Sequence, residues 1–194
     1  MGTIGRREAL QILAATPAAA VLTWLPRDVD AATQHVNALR GGQFEPQFFT
    51  PHEYRTVRLL VDLIIPRDQR SGSATDAGVP EFMDFIVNDQ EGRQTAMRGG
   101  LAWLDTECRE RFANDFVECT DEEQRNILDT IAWPSRAPES LSQGVAFFNS
   151  FRDLTATGFW SSKMGVEDLR YMGNRAIPEW TGCPPEQLRK LGLE

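Results

Sequence analysis

Prolines cut this chain into apolar segments with a helical repeat, and that punctuation restricts the fold more than any other feature. Thr50-Pro51-His52-Glu53 is a helix start. The Thr50 hydroxyl can cap, Pro51 suits the first helical position because an N–H there would lack a partner anyway, and Glu53 completes a capping box. Tyr54, Val57, Leu60, Val61 and Ile64 follow at the spacing that lines one helical face. Pro66 stops the helix near Ile65, since proline has no N–H for the ladder and restricts the residue before it. Residues 66–79 (PRDQRSGSATDAGV) carry no apolar pattern and read as a long polar loop. Pro80 opens a second helix with Phe82, Phe85 and Ile86 on one face. A third runs from about residue 94 to 116 through Met97, Leu101, Leu104, Cys108 and Phe112.

Thr120-Asp121-Glu122-Glu123 is a second capping box, followed by Ile127, Leu128 and Ile131. Pro134 and Pro138 enclose a loop. Val145, Phe148, Phe151, Leu154 and Thr155 then mark a helix that Gly158 is expected to end in a left-handed cap, and a short helix is expected over 166–171. The tail, with Pro178, Gly182, Pro184 and Pro185, reads as irregular. No alternating strand pattern of useful length occurs. The expected fold is all-α: a single compact helical domain over 49–194 with long loops and an irregular C-terminal tail.

Composition decides what such a domain can do. At 41% hydrophobic and 25% charged, the chain has enough apolar residues, five Trp and eleven Phe among them, to fill a core. A net charge of −8 argues against nucleic acid, whose phosphates require clustered Lys and Arg, and against a basic patch on an anionic leaflet. Residues 1–31 differ from the rest: Arg6 and Arg7 form a charged start, 9–25 is apolar and Ala-rich, and Val29 with Ala31 makes a small-residue cleavage site. Adjacent arginines suggest the twin-arginine export route, although Glu8 makes the match imperfect; an ordinary amphipathic helix is the alternative. A retained leader would act as a membrane tether. Gly41, Gly42 and Pro46 place a linker over 32–48.

The chain lacks the usual redox equipment. It has no G-x-G-x-x-G, no phosphate-binding loop, no H-E-x-x-H and no C-x-x-C-H. His35 and His52 are its only histidines, which leaves no evident histidine-based metal site or triad. No catalytic, cofactor-binding or metal-ligating residue is therefore expected. Cys108, Cys119 and Cys183 allow one disulfide, and Cys108 with Cys119 could meet across a helix end; three free buried thiols are the alternative.

Asp62, Asp68, Asp76, Glu81 and Asp84 cluster around the first loop. As an acid–base pair they would make the chain a stand-alone enzyme acting on a sugar. As local structure, Asp68 and Asp76 would hold turns and Glu81 would favour a helix N-terminus. Phe159 and Trp160 are either core or contact surface, and Tyr171 and Trp180 share that ambiguity. The candidate partner surface is thus Asp68 and Asp76 in the loop, Phe159, Trp160 and Trp180.

In order along the chain come Phe49-Thr50-Pro51, Leu63-Ile64-Ile65-Pro66-Arg67-Asp68, Ala77-Gly78-Val79-Pro80-Glu81-Phe82-Met83-Asp84, Gly100-Leu101-Ala102-Trp103-Leu104-Asp105, Phe147-Phe148, Asp153-Leu154-Thr155, Gly158-Phe159, Tyr171-Met172-Gly173-Asn174 and Gly182-Cys183-Pro184. With these pieces, over about residues 44–185, the chain resembles the gluconate 2-dehydrogenase subunit 3 family. The resemblance implies a small partner of a flavin-dependent dehydrogenase of the glucose–methanol–choline type that oxidises sugars or sugar acids. The large subunit would carry FAD, and a cytochrome c subunit with haem c often takes the electrons. The small subunit would supply a twin-arginine leader, escort its partner folded to the periplasm and stabilise it. The family offers no established catalytic residues to carry over.

Overall fold

The structure is a computed structural model that describes residues 26–38, 44–171, 173, 179 and 182–193. Among the described residues it is all-α, with eight α-helices and no strands. The helices are α1 (Pro26–Ala38), α2 (Pro51–Ile64), α3 (Val79–Asp89), α4 (Glu91–Phe112), α5 (Asp121–Ile131), α6 (Ser142–Ser161), α7 (Lys163–Asp168) and α8 (Pro185–Lys190), with 3-10 turns at Phe116–Glu118 and Glu139–Leu141.

Both capping boxes form. The Thr50 hydroxyl accepts the Glu53 N–H at 3.2 Å while the Glu53 carboxylate accepts the Thr50 N–H at 2.8 Å. Thr120 and Glu123 repeat this arrangement at the start of α5. The third helix is shorter at its end than its apolar stripe predicts. The chain turns back at Ala113, in the left-handed region at φ 62°, and Phe116 enters the core from a 3-10 turn. The tail is less irregular than expected, because Pro185 takes the first helical position and starts α8, which buries no residue.

Helix α6 is the central element and touches α1, α2, α3, α4, α5 and α7. Its continuation through Gly158 corrects the expected stop there. The position is helical, and the Phe82 ring lies 2.7 Å from where a Cβ would project, so glycine here serves close packing. Between α4 and α6 the same device is reciprocal. The Phe147 ring of α6 fills the space above Gly100 of α4, and the Trp103 ring of α4 fills the space above Gly144 of α6. Phe116, Phe151, Phe159, Leu104 and Leu154 lie fully buried in the single core that results.

The boundary drawn after Ala31 falls inside α1, and residues 32–38 are helix, where a linker is expected. Ala32 is fully buried, Val29 and Val36 pack on the core, and the His35 ring stacks on Phe85 at 4.6 Å. Gln90 donates to the Asp28 carboxylate at 2.8 Å. The short apolar stripe is what hides this helix in the sequence: three small residues suffice to seat it on α3 and α6. Arg6, Arg7 and the apolar stretch after them lie outside the described residues.

Candidate functional site

The first loop brings its carboxylates to backbone N–H groups. Asp68 is exposed, and its Oδ1 accepts the N–H groups of Ser71 and Arg70, both at 2.8 Å; these hold its carboxyl below the ordinary value. Asp76 Oδ2 accepts the Ser73 N–H at 2.8 Å, the Ser73 hydroxyl at 3.1 Å and Arg67 Nη2 at 2.6 Å, and the Ser73 N–H is the main cause of its lowered pKa. Asp62 accepts the Thr75 N–H at 2.7 Å. Glu81 accepts the Tyr54 hydroxyl at 2.8 Å, and burial first, then this bond, pushes the Tyr54 phenol well above its usual pKa. Asp84 is buried and accepts three backbone donors, Gln47 at 2.8 Å, Phe48 at 3.0 Å and Phe49 at 2.9 Å. An ionised carboxylate that accepts local N–H groups fixes a turn and resists protonation. A general acid needs the opposite, a carboxyl whose pKa is raised. The lowered pKa values of Asp68 and Asp76 therefore suit loop anchors rather than an acid–base pair.

That anchored loop is clamped to α7, since Arg70 Nη2 reaches both the Asp168 carbonyl and its carboxylate at 2.8 Å. Asp76, Gly78, Gly158, Ser162 and Met164 line a cleft of about 30 Å³ between loop, α1 and α7, room for a water or two and too little for a sugar ring. Of the aromatic pair, Phe159 is 1% exposed and belongs to the core, which removes it from the candidate contact surface. Trp160 stands edge-on to Phe159, with ring centroids 4.9 Å apart, and is 38% exposed. Leu169 and Tyr171 beyond α7 are more than half exposed. Asp68, Asp76 and Trp160 thus lie on elements that the Arg70–Asp168 clamp and the cleft join into one region. Trp180 lies outside the described residues.

Two features escape the sequence reading. Trp133 is 60% exposed, with the Arg136 guanidinium 5.8 Å from its ring centre; it belongs to no helical stripe, and that mismatch is the signal that could have found it. His52 meets residues far along the chain. Its Nε2 lies 2.7 Å from Asp105 Oδ2, and a ligand atom of Asp115 lies within 4.8 Å of both. The three could ligate a divalent cation, and each carboxylate has a further partner: Arg109 Nε pairs with Asp115 Oδ1 at 2.5 Å, and the Phe116 N–H donates to Asp105 Oδ1 at 3.1 Å. The His52–Asp105 contact ties α2 to α4.

The family model for gluconate 2-dehydrogenase subunit 3 matches residues 51–178, more than half of the chain. This chain belongs to the gluconate 2-dehydrogenase subunit 3 family. The match begins at Pro51, the first residue of α2, so the helical core α2–α7 is the family's part of this molecule, and α1 and α8 lie outside it. Searches of the curated proteins and of the solved structures return no match. Gluconate 2-dehydrogenase subunit 3 names a component of a dehydrogenase complex, and a component needs a face for its partner. Among the described residues no helix is long and apolar enough to cross a membrane.

Proposed function

We propose that this chain is the non-catalytic small subunit of a periplasmic FAD-dependent sugar or sugar-acid dehydrogenase. In this reading it stabilises the flavin-bearing subunit of the glucose–methanol–choline type and brings the twin-arginine leader, at Arg6 and Arg7, that exports the folded pair. FAD resides in the large subunit, and a cytochrome c subunit with haem c takes the electrons. Membership of the gluconate 2-dehydrogenase subunit 3 family carries the proposal. The commitment of Asp68, Asp76 and Asp84 to backbone N–H groups supports a structural part for this chain and weighs against the stand-alone sugar enzyme.

The test is a deletion of this chain's reading frame in the native host, complemented by the wild type or by a variant with Arg6→Lys and Arg7→Lys. Wild type restores flavin-loaded large subunit to the periplasm; the lysine pair, which keeps the charge but loses the arginine signal, leaves it in the cytoplasm. An active, flavin-loaded and exported large subunit in the deletion strain overturns the proposal.

A further inference from the structure

The corner between α4 and α5 is tied more heavily than its length requires. The Asp105 carboxylate of α4 accepts the Phe116 N–H at 3.1 Å, which sets the 3-10 turn against the helix. One turn further along each element come Cys108 and Cys119. The Gln124 side chain of α5 completes the corner, with Nε2 donating to the Phe116 carbonyl at 3.0 Å and to the Cys119 carbonyl at 2.9 Å. The Cys119 N–H closes onto the Asp115 and Phe116 carbonyls. Equal steps from one anchored pair bring the two free cysteines to the same corner, near enough that each shifts the thiol pKa of the other. Both are buried, at 0% and 7% exposure, while Cys183 is exposed beside α8.

We propose that Cys108 and Cys119 form an intramolecular disulfide that locks the α4–α5 corner. Each thiol gives up a proton, the sulfurs join, and the two electrons pass to an oxidant of the disulfide class, which leaves as two thiols. Cys119, the less deeply buried residue, attacks the oxidant first and releases one thiol. Cys108 then attacks the Cys119 sulfur of the mixed disulfide and releases the second. Burial pushes the Cys108 thiol up to about 12 and raises that of Cys119, so neither is a reactive lone thiolate at neutral pH; the pair is a structural cross-link site rather than a redox catalyst. The chemistry depends on the corner's geometry alone. The export reading determines only whether the cell supplies the oxidant, and failure of either leaves the other standing.

The test uses the full chain carrying Cys183→Ser, incubated with glutathione disulfide, with thiols counted in guanidinium without reductant. The count falls from two to zero, the intact mass drops by two hydrogens, and a peptide pair joins Cys108 to Cys119. The thermal midpoint rises by about 5–10 °C over the reduced form, as expected for closing a short loop in a domain of this size. The further change Cys108→Ser stops the reaction at a glutathione adduct on Cys119 and abolishes the rise. Two thiols that persist in excess glutathione disulfide, or adducts that never resolve to a bridge in the Cys183→Ser chain, overturn the proposal.

Discussion

Asp84 shows how much one carboxylate can organise. Buried in α3, it accepts N–H groups from Gln47, Phe48 and Phe49, the residues that lead into α2, and so it settles where the family's first helix begins. Asp84→Ala leaves at least two buried donors without a partner, and an expected loss of about 3 kcal/mol follows in urea unfolding. Asp68 and Asp76 act more weakly and through pH. Backbone N–H groups lower both pKa values in the fold below the ordinary 3.8. In that interval the unfolded chain binds more protons, so their stabilisation is complete above the ordinary value and is lost as pH falls through the lowered one. The urea midpoint should therefore drop between about pH 5 and about pH 3, and Asp76→Asn should reduce that drop. An unchanged pH profile in the variant would remove Asp76 from the account.

At the scale of elements, neighbouring glycines of α4 separate propensity from packing. Gly99 has open space where a Cβ would project, whereas Gly100 lies under the Phe147 ring. Alanine normally stabilises a helix over glycine by up to about 1 kcal/mol, and Gly99→Ala should show that gain. Gly100→Ala should instead destabilise by about 1–3 kcal/mol, because Phe147 must leave its place. Denaturant titration of the two variants reads the difference, and equal signs would contradict the packing described between α4 and α6.

Helix α1 makes a second expectation at this scale. Signal cleavage needs an extended substrate, and the bond after Ala31 lies inside a helix whose next residue is buried. The N-terminus of protein from the native host should therefore lie at or before Pro26, read by intact mass. A chain starting at Ala32 would show that α1 is not retained.

At the scale of the whole molecule, we propose as the partner face the region where the 66–78 loop, α7 and the end of α6 meet. Its apolar part is Trp160, Leu169 and Tyr171, and its charged part is the Asp68–Asp76 loop. A permanent subunit interface buries more than about 2,000 Å², so Trp160 can be only one anchor of several. Trp160→Ala should weaken the complex about tenfold or more, measured by co-purification or titration, while the free chain melts close to wild type. Wild-type complex yield would move the interface elsewhere, with the exposed Trp133 end the next place to look.

The helical class, both capping boxes and the stripes of α2, α3 and α5 are legible in the sequence because each depends on contacts within a few residues: a hydroxyl three positions before its donor, a proline without an N–H, an apolar side chain every turn. The loop roles of Asp68 and Asp76 are legible for the same reason. Tertiary structure alone decided that Gly158 is a packing position rather than a stop, that Phe159 is core, that 26–38 joins the domain, and that His52 meets Asp105. Each of these depends on a partner far along the chain. A glycine under a distant ring has the same local chemistry as one that ends a helix, so only the path of the whole chain distinguishes them.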